Sequence, residues 1–462
     1  MATYASRIRA LYPYKAPSTS VDHLVIGGGV VGLAVAAGLV NTCGSRTTFL
    51  VERRGLLGQE TTARNSEVIH SGIYYPIGSL KSKLCIRGRD LLYDRCQKLG
   101  IDHKQTQKLI VATENYQVEY LDKLSTQTAH PSLSTGGESS PYVSNSQIPT
   151  YFLGRDETRE LEPDLSPDIV GALLVTSTGI VDSQGLVDSL AREIEEEDYV
   201  GEAAVGYGKA KGVQRGEGVV VRGTRVVRID REEKGRGWVV QLESNWEGKS
   251  EGEKGDVESV RADVVVNAAG LGSATLLEGI VPESEAYNIY PVKGNYMSYK
   301  GPGVSNVSRL IYPCPSRDLG SLGTHLTLDL SGNVKFGPDT ENIGDARSSR
   351  ENPDFWQVHL APSSDRLASI AASVQSYLPG IDANLLEPDY SGIRPNILPP
   401  GSGFFDFLIR HSPDRLGLIE MGGFASPGLT SALAAGEYVS DKVRKEVWKE
   451  KASVEALAEG WE

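Results

Sequence analysis

The sequence contains few residues of several types, and each shortage excludes a class of protein. Four cysteines, Cys43, Cys85, Cys96 and Cys314, are too few and too widely spaced for a disulfide-rich scaffold or a CxxC metal site. Acidic residues outnumber basic ones by 60 to 47, so the net charge is −13. This charge disfavours binding to nucleic acid and to anionic lipid. The cysteines are expected to be free thiols in a reducing compartment, with no bound metal.

The chain is long, yet it has little that is typical of a secreted protein. Its 462 residues, 39% of them hydrophobic, exceed one ordinary core and predict two packed domains. Residues 1–20 lack the apolar run of a secretory signal, and no acidic residue precedes Asp22. They are expected to form a flexible leader or a mitochondrial transit segment. The protein is therefore expected to be intracellular, either mitochondrial or cytoplasmic.

One apolar segment, LVIGGGVVGLAVAAGLV, carries glycines at an informative spacing. Gly27, Gly29 and Gly32 follow the pattern G-x-G-x-x-G, between a buried strand predicted over residues 21–26 and a helix predicted over 30–40. In this arrangement the first glycine permits a tight turn and the second lets a pyrophosphate approach the backbone. The third lets the helix pack closely on the strand. The spacing predicts a dinucleotide site and argues against a transmembrane segment.

An acidic residue and two distant segments indicate which dinucleotide is bound. Glu52 ends the next predicted strand, TTFLVE, 20 positions after Gly32, where a carboxylate can accept from ribose hydroxyls. The strand–helix alternation of a simple NAD dehydrogenase does not continue after Glu52. Instead, a buried strand returns in residues 261–274, and a Gly/Ser/Pro-rich loop begins a helix in residues 421–443. A site built from the first, middle and last parts of a chain is the layout of FAD enzymes, so FAD is the predicted cofactor.

Several longer motifs resemble one family. The chain resembles the FAD-dependent oxidoreductases of the D-amino-acid oxidase superfamily, and within it the L-2-hydroxyglutarate dehydrogenase family. The resembling segments recur along most of residues 21–440 and are NSEVIHSGIYYPIGSLKSKLCIRG, KLIVAT, TGIVDSQGLVDSLA, YPVKGNYM, IYPCPSRDLGSLGTHLTLDLSGNVKFGPD and SGIRP. The chain departs from the family pattern at residues 395–398 and in the C-terminal loop GGFASPGLTSA. Both departures fall near the expected substrate pocket, so they bear on which acid is bound.

The resemblance implies an α/β fold, with a Rossmann-like FAD-binding domain and an interleaved α+β substrate domain built on a mixed β-sheet. KLIVAT is expected to be a strand of the substrate domain. The FAD-binding domain would comprise residues 21–100, 161–284 and 391–445, and the substrate domain residues 101–160 and 285–390.

The resemblance also implies which residues hold FAD. The glycine motif would face the pyrophosphate, Glu52 the ribose, and the start of the C-terminal helix the flavin. In chain order, the expected contacts are Gly27, Gly29, Gly32, Glu52, Arg53, Ser66, Val226, Gly270, Gly428 and Leu429. The charged and polar stretch at residues 244–259 is expected to be a solvated loop outside the site.

The activity implied by the resemblance is oxidation of a small 2-hydroxy acid to the 2-oxo acid by hydride transfer to flavin N5. L-2-hydroxyglutarate, oxidised to 2-oxoglutarate, is the best candidate. Two alternatives stay open: an FAD-dependent amine or amino-acid oxidase of the same fold, and a non-catalytic flavin-binding protein. The electron acceptor also stays open among oxygen, a quinone and an electron-transfer protein.

Three residues are predicted to carry the chemistry. Arg394, in SGIRP, would grip the substrate carboxylate, because a planar guanidinium binds a carboxylate in a bidentate fork. His70 follows a short strand expected to run under the flavin, and its pKa is expected near the operating pH. It would be the general base, or would stabilise the reduced flavin, or would attach the flavin covalently. His325, in LGTHLT, is the rival base on a strand of the substrate domain.

Other side chains are candidates for the second carboxylate of a dicarboxylic substrate. Tyr74, Tyr75 and Tyr312 are expected either to hydrogen-bond that carboxylate or to pack. Lys293, in PVKGNY, is a further candidate, although a lysine on a strand is more often solvent-facing.

Overall fold

The computed structural model describes residues 4–128, 148–197, 199, 215–232, 237–249, 253–315, 323–352 and 354–450. Within these residues the strands are β1 Thr19–Ile26, β2 Thr47–Val51, β3 Val68–Ile69, β4 His103–Lys104, β5 Lys108–Ala112, β6 Thr150–Gly154, β7 Gly171–Val175, β8 Gly179–Val181, β9 Glu217–Val221, β10 Thr224–Arg231, β11 Trp238–Ser244, β12 Asp256–Asn267, β13 Tyr290–Tyr299, β14 Leu310–Pro313, β15 Leu326–Leu328, β16 Val334–Phe336, β17 Glu341–Asn342, β18 Leu386–Asn396, β19 Leu408–His411 and β20 Leu418–Gly422. The α-helices are α1 Tyr4–Leu11, α2 Val30–Thr42, α3 Leu80–Leu99, α4 Asn115–Thr128, α5 Arg155–Leu161, α6 Ser183–Glu195, α7 Ser273–Leu276, α8 Ala346–Glu351, α9 Leu367–Gln375 and α10 Gly428–Lys442.

The first sheet is centred on β1, which pairs in parallel with β12 on one side and with β2 on the other. β9 extends the sheet in parallel beyond β2, and β20 pairs in parallel with the last residues of β12. β10 and β11 continue from β12 as antiparallel strands. Parallel strands end at the same edge of a sheet, and the glycine motif lies at that edge directly after β1. The predicted Rossmann-like half of the fold is confirmed.

The helix after the glycine motif is buried on nearly every side, which explains its almost wholly apolar sequence. The Val30 N–H in its first turn donates to the Thr62 hydroxyl at 3.1 Å. α3, α6 and α10 contribute to the same core. None of the helices in the described part of the chain has the length and apolarity needed to cross a membrane.

The second sheet has the strand order β17-β13-β16-β15-β14-β5-β7-β6, and β18 also pairs with β13. Between β5 and β14 the pairing is parallel, whereas the other pairs in this sheet are antiparallel. α9 packs on this sheet through Ile370 and Val374, against a core that includes Phe336. The predicted mixed sheet of the substrate domain is therefore confirmed.

Two segments differ from the predicted division of the chain. β7 lies inside residues 161–284, which were assigned to the FAD-binding domain, yet it pairs between β5 and β6 in the second sheet. β18 likewise carries residues 391–396 into the second sheet. Residues 129–147 of the predicted substrate domain lie outside the described residues. The pairing of strands decides which sheet each of these segments belongs to, and short sequence patterns do not predict that pairing.

The predicted flexible leader over residues 1–20 also differs from the structure. α1 is followed by Tyr12, which is 1% exposed and whose carbonyl accepts from Arg228 at 3.1 Å. Lys15 then donates its backbone N–H to the Gln241 side chain at 2.9 Å, and β1 already begins at Thr19. Residues 4–18 therefore pack against the outer strands of the first sheet.

Candidate active site

A cavity of about 550 Å³ lies between the two sheets, at the carboxyl ends of the parallel strands. Its lining comes from the start, the middle and the end of the chain, as the FAD layout predicts. All ten residues expected to hold FAD line it, namely Gly27, Gly29, Gly32, Glu52, Arg53, Ser66, Val226, Gly270, Gly428 and Leu429. So do the predicted site residues His70, Tyr74, Tyr75, Tyr312, His325 and Arg394.

The glycine motif forms a cradle that side chains would fill. Gly27 has φ +108°, and a Cβ there would lie 2.6 Å from the carbonyl oxygen of Ala268. A Cβ on Gly32 would clash with the carbonyl of Gly27, so only glycine lets the helix start close to the strand. Backbone N–H groups at such a helix start bind anionic groups. This end of the cavity fits a pyrophosphate.

Glu52 is buried beside the cradle, and its two carboxylate oxygens accept the N–H groups of Gly28 and Arg54, each at 2.7 Å. Burial raises the pKa of Glu52, while these two hydrogen bonds lower it. Each oxygen keeps a second lone pair that can accept from a ribose hydroxyl. The position fits the predicted contact with the ribose.

Arg53 lines the cavity, but its guanidinium is held by acidic neighbours. It pairs with Glu60 at 2.6 Å and with Asp354 at 2.6 Å. Burial alone would lower the pKa of Arg53, but the two carboxylates outweigh this effect and raise it above its ordinary value. Arg53 therefore links the FAD-binding segment to the segment that carries Asp354, and its predicted role near the adenosine would use its stem rather than a free charge.

The adenosine end of the cavity contains residues that sequence reasoning missed. Trp246 lies in the stretch expected to be a solvated loop, yet it lines the cavity, with the guanidinium of Arg225 4.5 Å from its ring centroid. Its indole N–H is buried and has no hydrogen-bond partner among the described residues. Ile8 and Arg9 of α1 line the same end, near Val226 of β10. An aromatic ring with an unused donor fits an adenine.

At the flavin end, a threonine joins the start of α10 to the strand before His70. The Thr430 hydroxyl donates to the carbonyl of Val68 at 3.2 Å and accepts the His70 N–H at 3.0 Å. Gly428 and Leu429 precede it in the first turn. The Gly428 N–H donates to the carbonyl of Ala425 at 2.6 Å, whereas the next N–H groups lack intrahelical acceptors. This turn therefore presents donors and a positive dipole end to the cavity.

His70 lies at the substrate end of the cavity in a short chain of hydrogen bonds. Its Nε2 lies 3.4 Å from the Ser426 hydroxyl, which lies 3.2 Å from the hydroxyl of Tyr75. Burial, together with the charge of Lys108, lowers the pKa of His70 to about 3. The expectation of a pKa near the operating pH is wrong, because this imidazole has lost its hydration and faces a cation. His70 is neutral at neutral pH.

His325 lies on the opposite wall and is stacked on Tyr312, with ring centroids 3.6 Å apart and planes 10° apart. Both rings line the cavity. Burial holds the pKa of Tyr312 well above its ordinary value, so its hydroxyl is a neutral donor. The structure therefore brings both predicted bases to one end of the cavity.

Arg394 reaches the cavity from β18, across β13. A Cβ on Gly294 would lie 2.8 Å from the guanidinium, so the glycine makes room for it. The guanidinium donates to the carbonyl of Asp339 at 3.3 Å. Among the described residues, no carboxylate pairs with it. Tyr296, which sequence reasoning did not select, lines the cavity beside it. Burial raises the pKa of that phenol, and the charge of Arg394 opposes the shift without cancelling it.

Lys293 is not brought to the cavity. Gly294 and Tyr296 face the cavity from β13, so the alternation of side chains turns Lys293 to the other side. There its ammonium donates to the carbonyl of Ala361 at 2.8 Å and lies 3.5 Å from Glu341. The predicted contact of Lys293 with a substrate carboxylate does not occur in this geometry.

A parallel sheet ending in a glycine cradle, roofed by a mixed sheet with an arginine and two histidines, is the architecture of a two-domain flavin-dependent oxidoreductase. A family model described as FAD dependent oxidoreductase matches residues 22–442, and the chain belongs to that family. FAD is accordingly its cofactor.

Within this family, the chain is similar to proteins named as L-2-hydroxyglutarate dehydrogenases. L-2-hydroxyglutarate dehydrogenase, mitochondrial, of Arabidopsis thaliana is 34% identical over 434 residues, covering 91% of this chain and 83% of the relative. L-2-hydroxyglutarate dehydrogenase of Escherichia coli K12 is 26% identical, covering 92% of this chain and 93% of the relative. The predicted resemblance is confirmed.

Solved structures share the fold over nearly the whole chain. L-α-glycerophosphate oxidase from Mycoplasma pneumoniae with FAD bound has a TM-score of 0.69 at 22% identity, covering 94% of this chain and 95% of that chain. Glycine oxidase from Geobacillus kaustophilus has a TM-score of 0.65 at 18% identity, covering 94% and 96%. At these identities the likeness concerns the fold alone.

Proposed function

We propose that the chain oxidises a small 2-hydroxy acid to the 2-oxo acid, with L-2-hydroxyglutarate as the first substrate to test. The names of its curated relatives support the proposal. A mitochondrial location, which is part of the Arabidopsis relative's name, stays a prediction for this chain. Bound FAD supplies the acceptor for two electrons and the α-hydrogen. The protein must hold the carboxylate, orient the α-carbon and remove the hydroxyl proton.

The observation that carries the proposal is the state of Arg394. This arginine faces the cavity with no carboxylate partner among the described residues, whereas Arg53 in the same cavity is held by two. A guanidinium kept available inside a partly buried cavity fits an anionic ligand that brings its own carboxylate. Arg394 is the proposed anchor for the carboxylate next to the hydroxyl.

Removal of the hydroxyl proton requires a neutral base at the same end. The low pKa of His70 keeps its imidazole unprotonated at neutral pH, so Nε2 has a lone pair for the proton. A carboxylate bound nearby would raise that pKa towards the operating pH and so strengthen the base. The hydroxyl of Ser426, 3.4 Å away, restrains the ring. His70 is the proposed base, and His325 on the opposite wall is the alternative.

The direct test is a screen for anaerobic bleaching of the flavin absorbance in the purified holoprotein. L-2-hydroxyglutarate is expected to bleach the flavin faster than its D enantiomer and faster than L-glutamate or glycine. Faster bleaching by the amino acids would replace the proposal by an amino-acid oxidase. Bleaching by dithionite but by no acid in the screen would indicate a non-catalytic flavoprotein.

A further inference from the structure

Lys108, in the motif KLIVAT, is a lysine that the wall of the cavity hides completely. It lies on β5 and is 0% exposed. Its Nζ lies 4.5 Å from the ring centroid of Tyr74 and 4.7 Å from that of Tyr312. Both rings line the substrate end of the cavity. Among the described residues, the ammonium has neither a hydrogen-bond acceptor nor an ion-pair partner.

Among the described residues, the rings of Tyr74 and Tyr312 are the main groups that can stabilise a positive charge on Lys108. Burial lowers its pKa to about 7. The other titratable groups that act on it are His70 and Cys85, and neither is anionic. Burial raises the pKa of the Cys85 thiol to about 12 and lowers that of His70 to about 3. A buried cation without a counter-charge opposes stability, so a purely structural role would be better filled by an apolar side chain.

Tyr74 shows a second unused group at the same place. Its hydroxyl is buried and has no hydrogen-bond partner among the described residues. Burial holds the pKa of Tyr74 well above its ordinary value, so the hydroxyl is a neutral donor. A cation and a hydrogen-bond donor thus lie together, and each lacks the acceptor that an anionic ligand would bring.

The sheet places this pair at the other side of the cavity from Arg394. Crossing the second sheet, Arg394 lies on β18, Tyr296 on β13, Tyr312 on β14 and Lys108 on β5. Tyr296 is within electrostatic range of both Arg394 and Tyr312. Tyr296, Tyr312 and Tyr74 all line the cavity between Arg394, which lines it too, and Lys108, which lies behind the rings of Tyr74 and Tyr312.

We propose that Lys108 and the Tyr74 hydroxyl form a subsite for the second carboxylate of a dicarboxylic substrate. The phenol donates a hydrogen bond to the carboxylate, and the ammonium behind the ring supplies the opposite charge. This inference rests on the proposed function, because Arg394 holds the other carboxylate. Lys108 takes the role that the sequence assigned to Lys293, which points away from the cavity. It makes the site selective for a dicarboxylate over a monocarboxylate.

The test compares the binding of glutarate and butyrate, which lack the reacting hydroxyl, to the oxidised holoprotein by calorimetry. Lys108→Met is expected to weaken glutarate by about tenfold to a hundredfold, the range for a lost charge interaction in a partly buried site. The affinity for butyrate should change by less than about threefold. Lys293→Met is the matched control on another strand of the same sheet, and it should leave the ratio of the two affinities unchanged.

A structural role for Lys108 predicts a different result. If the lysine served packing, Lys108→Met would lower the melting temperature and weaken both ligands alike. In the proposed subsite the same change removes an uncompensated buried charge, so the melting temperature should stay equal or rise while glutarate binding falls. Equal loss of both ligands, or wild-type glutarate binding no tighter than butyrate binding, would overturn the proposal. This readout needs no turnover, so it stands apart from the bleaching screen.

The pH dependence of binding supplies an independent signature. Glutarate requires the protonated lysine, so its affinity should fall as pH rises above about 7, accompanied by proton uptake on binding. The groups facing Lys108 do not titrate in this window, since His70 ionises far below it and Cys85, Tyr74 and Tyr312 far above it. Lys108→Met should abolish the proton uptake. Unchanged proton uptake in that variant would assign the titration to another group and refute the subsite.

Discussion

Arg394 and Arg53 line the same cavity, but among the described residues only Arg53 has carboxylate partners. Arg53 is held between Glu60 and Asp354, so a ligand would have to displace an existing carboxylate. Arg394 makes a single long hydrogen bond to the carbonyl of Asp339. The presence or absence of a carboxylate partner therefore distinguishes the two arginines. Arg53 joins two segments of the chain, whereas Arg394 can bind a substrate.

Arg394→Lys is expected to keep FAD but to lose affinity for hydroxy acids. A lysine keeps the charge but cannot form the bidentate fork, and a lost charge-assisted hydrogen bond is worth about 1.5–3 kcal/mol, or about tenfold to a hundredfold in affinity. Arg366→Lys is the matched control, because Arg366 pairs with the Asp339 carboxylate at 2.6 Å and does not line the cavity. Rapid-mixing measurements of flavin reduction give the affinity, and wild-type behaviour of Arg394→Lys would remove the anchor.

His70→Ala and His325→Ala should separate the two candidate bases. Loss of the base is expected to slow anaerobic flavin reduction by about 10²- to 10⁴-fold at saturating substrate. Because burial and the charge of Lys108 lower the pKa of His70 to about 3 in the free protein, the pH profile of kcat/KM, which reports the free enzyme, should show no ionisation of this group from about pH 6 to pH 9. If His325→Ala alone slows reduction, the base lies on the opposite wall. If neither variant does, both assignments fail.

The elements that the sequence predicts well are those defined by short-range patterns. The strand at residues 21–26, the glycine turn and the helix from Val30 follow from spacings within a few residues, as does the helix α3, which ends before Gly100 with φ +68°. The positions of Lys293, which turns away from the cavity, and of Lys108, which is buried behind two rings that line it, do not follow from spacing. Which face of a strand meets the cavity depends on its partners in the sheet, and these come from distant parts of the chain.

The N-terminal helix and the Trp246 loop were missed for a related reason. Their sequences are polar and resemble a leader and a solvated insertion, because most of each segment does face solvent. Only a few side chains, Ile8, Arg9 and Trp246, reach the cavity. Because so few residues of each segment contact the cavity, the two sequences show no periodic pattern that would predict these contacts.

Replacing the cavity-facing residues of α1 should weaken FAD through its adenosine part. The double variant Ile8→Ala and Arg9→Ala removes apolar and charged contacts at that end. Loss of an isoleucine side chain that bound FAD would cover predicts about a tenfold weaker affinity for FAD. Arg7→Ala is the matched control, since Arg7 donates to the carbonyl of Glu351 at 2.7 Å and does not line the cavity. Titration of the apoprotein should show a weaker affinity for FAD and an unchanged affinity for FMN, which lacks adenosine. Equal weakening of both would mean that α1 acts on the fold rather than on the adenosine end.

At the scale of the whole molecule, the chain passes repeatedly between the two sheets. It builds β1 and β2 in the first sheet, β5 to β7 in the second, β9 to β12 in the first, β13 to β18 in the second, and then returns for β19 and β20. The cavity lies where these passages meet, so its walls belong to both sheets. Neither sheet is a continuous piece of chain that could fold without the other.

This interleaving predicts that the protein unfolds in a single thermal transition, whose midpoint temperature rises with the concentration of FAD. Free FAD at a hundred times its dissociation constant contributes about 2.7 kcal/mol to the native state. With an unfolding entropy of about 2.1 cal/mol/K per residue, the chain loses about 1 kcal/mol of stability per degree near its midpoint, so the midpoint should rise by about 3 °C. Calorimetry of apoprotein and holoprotein at several FAD concentrations measures this shift. Two separate transitions, with only one sensitive to FAD, would show that the sheets unfold independently and that the cavity does not couple them.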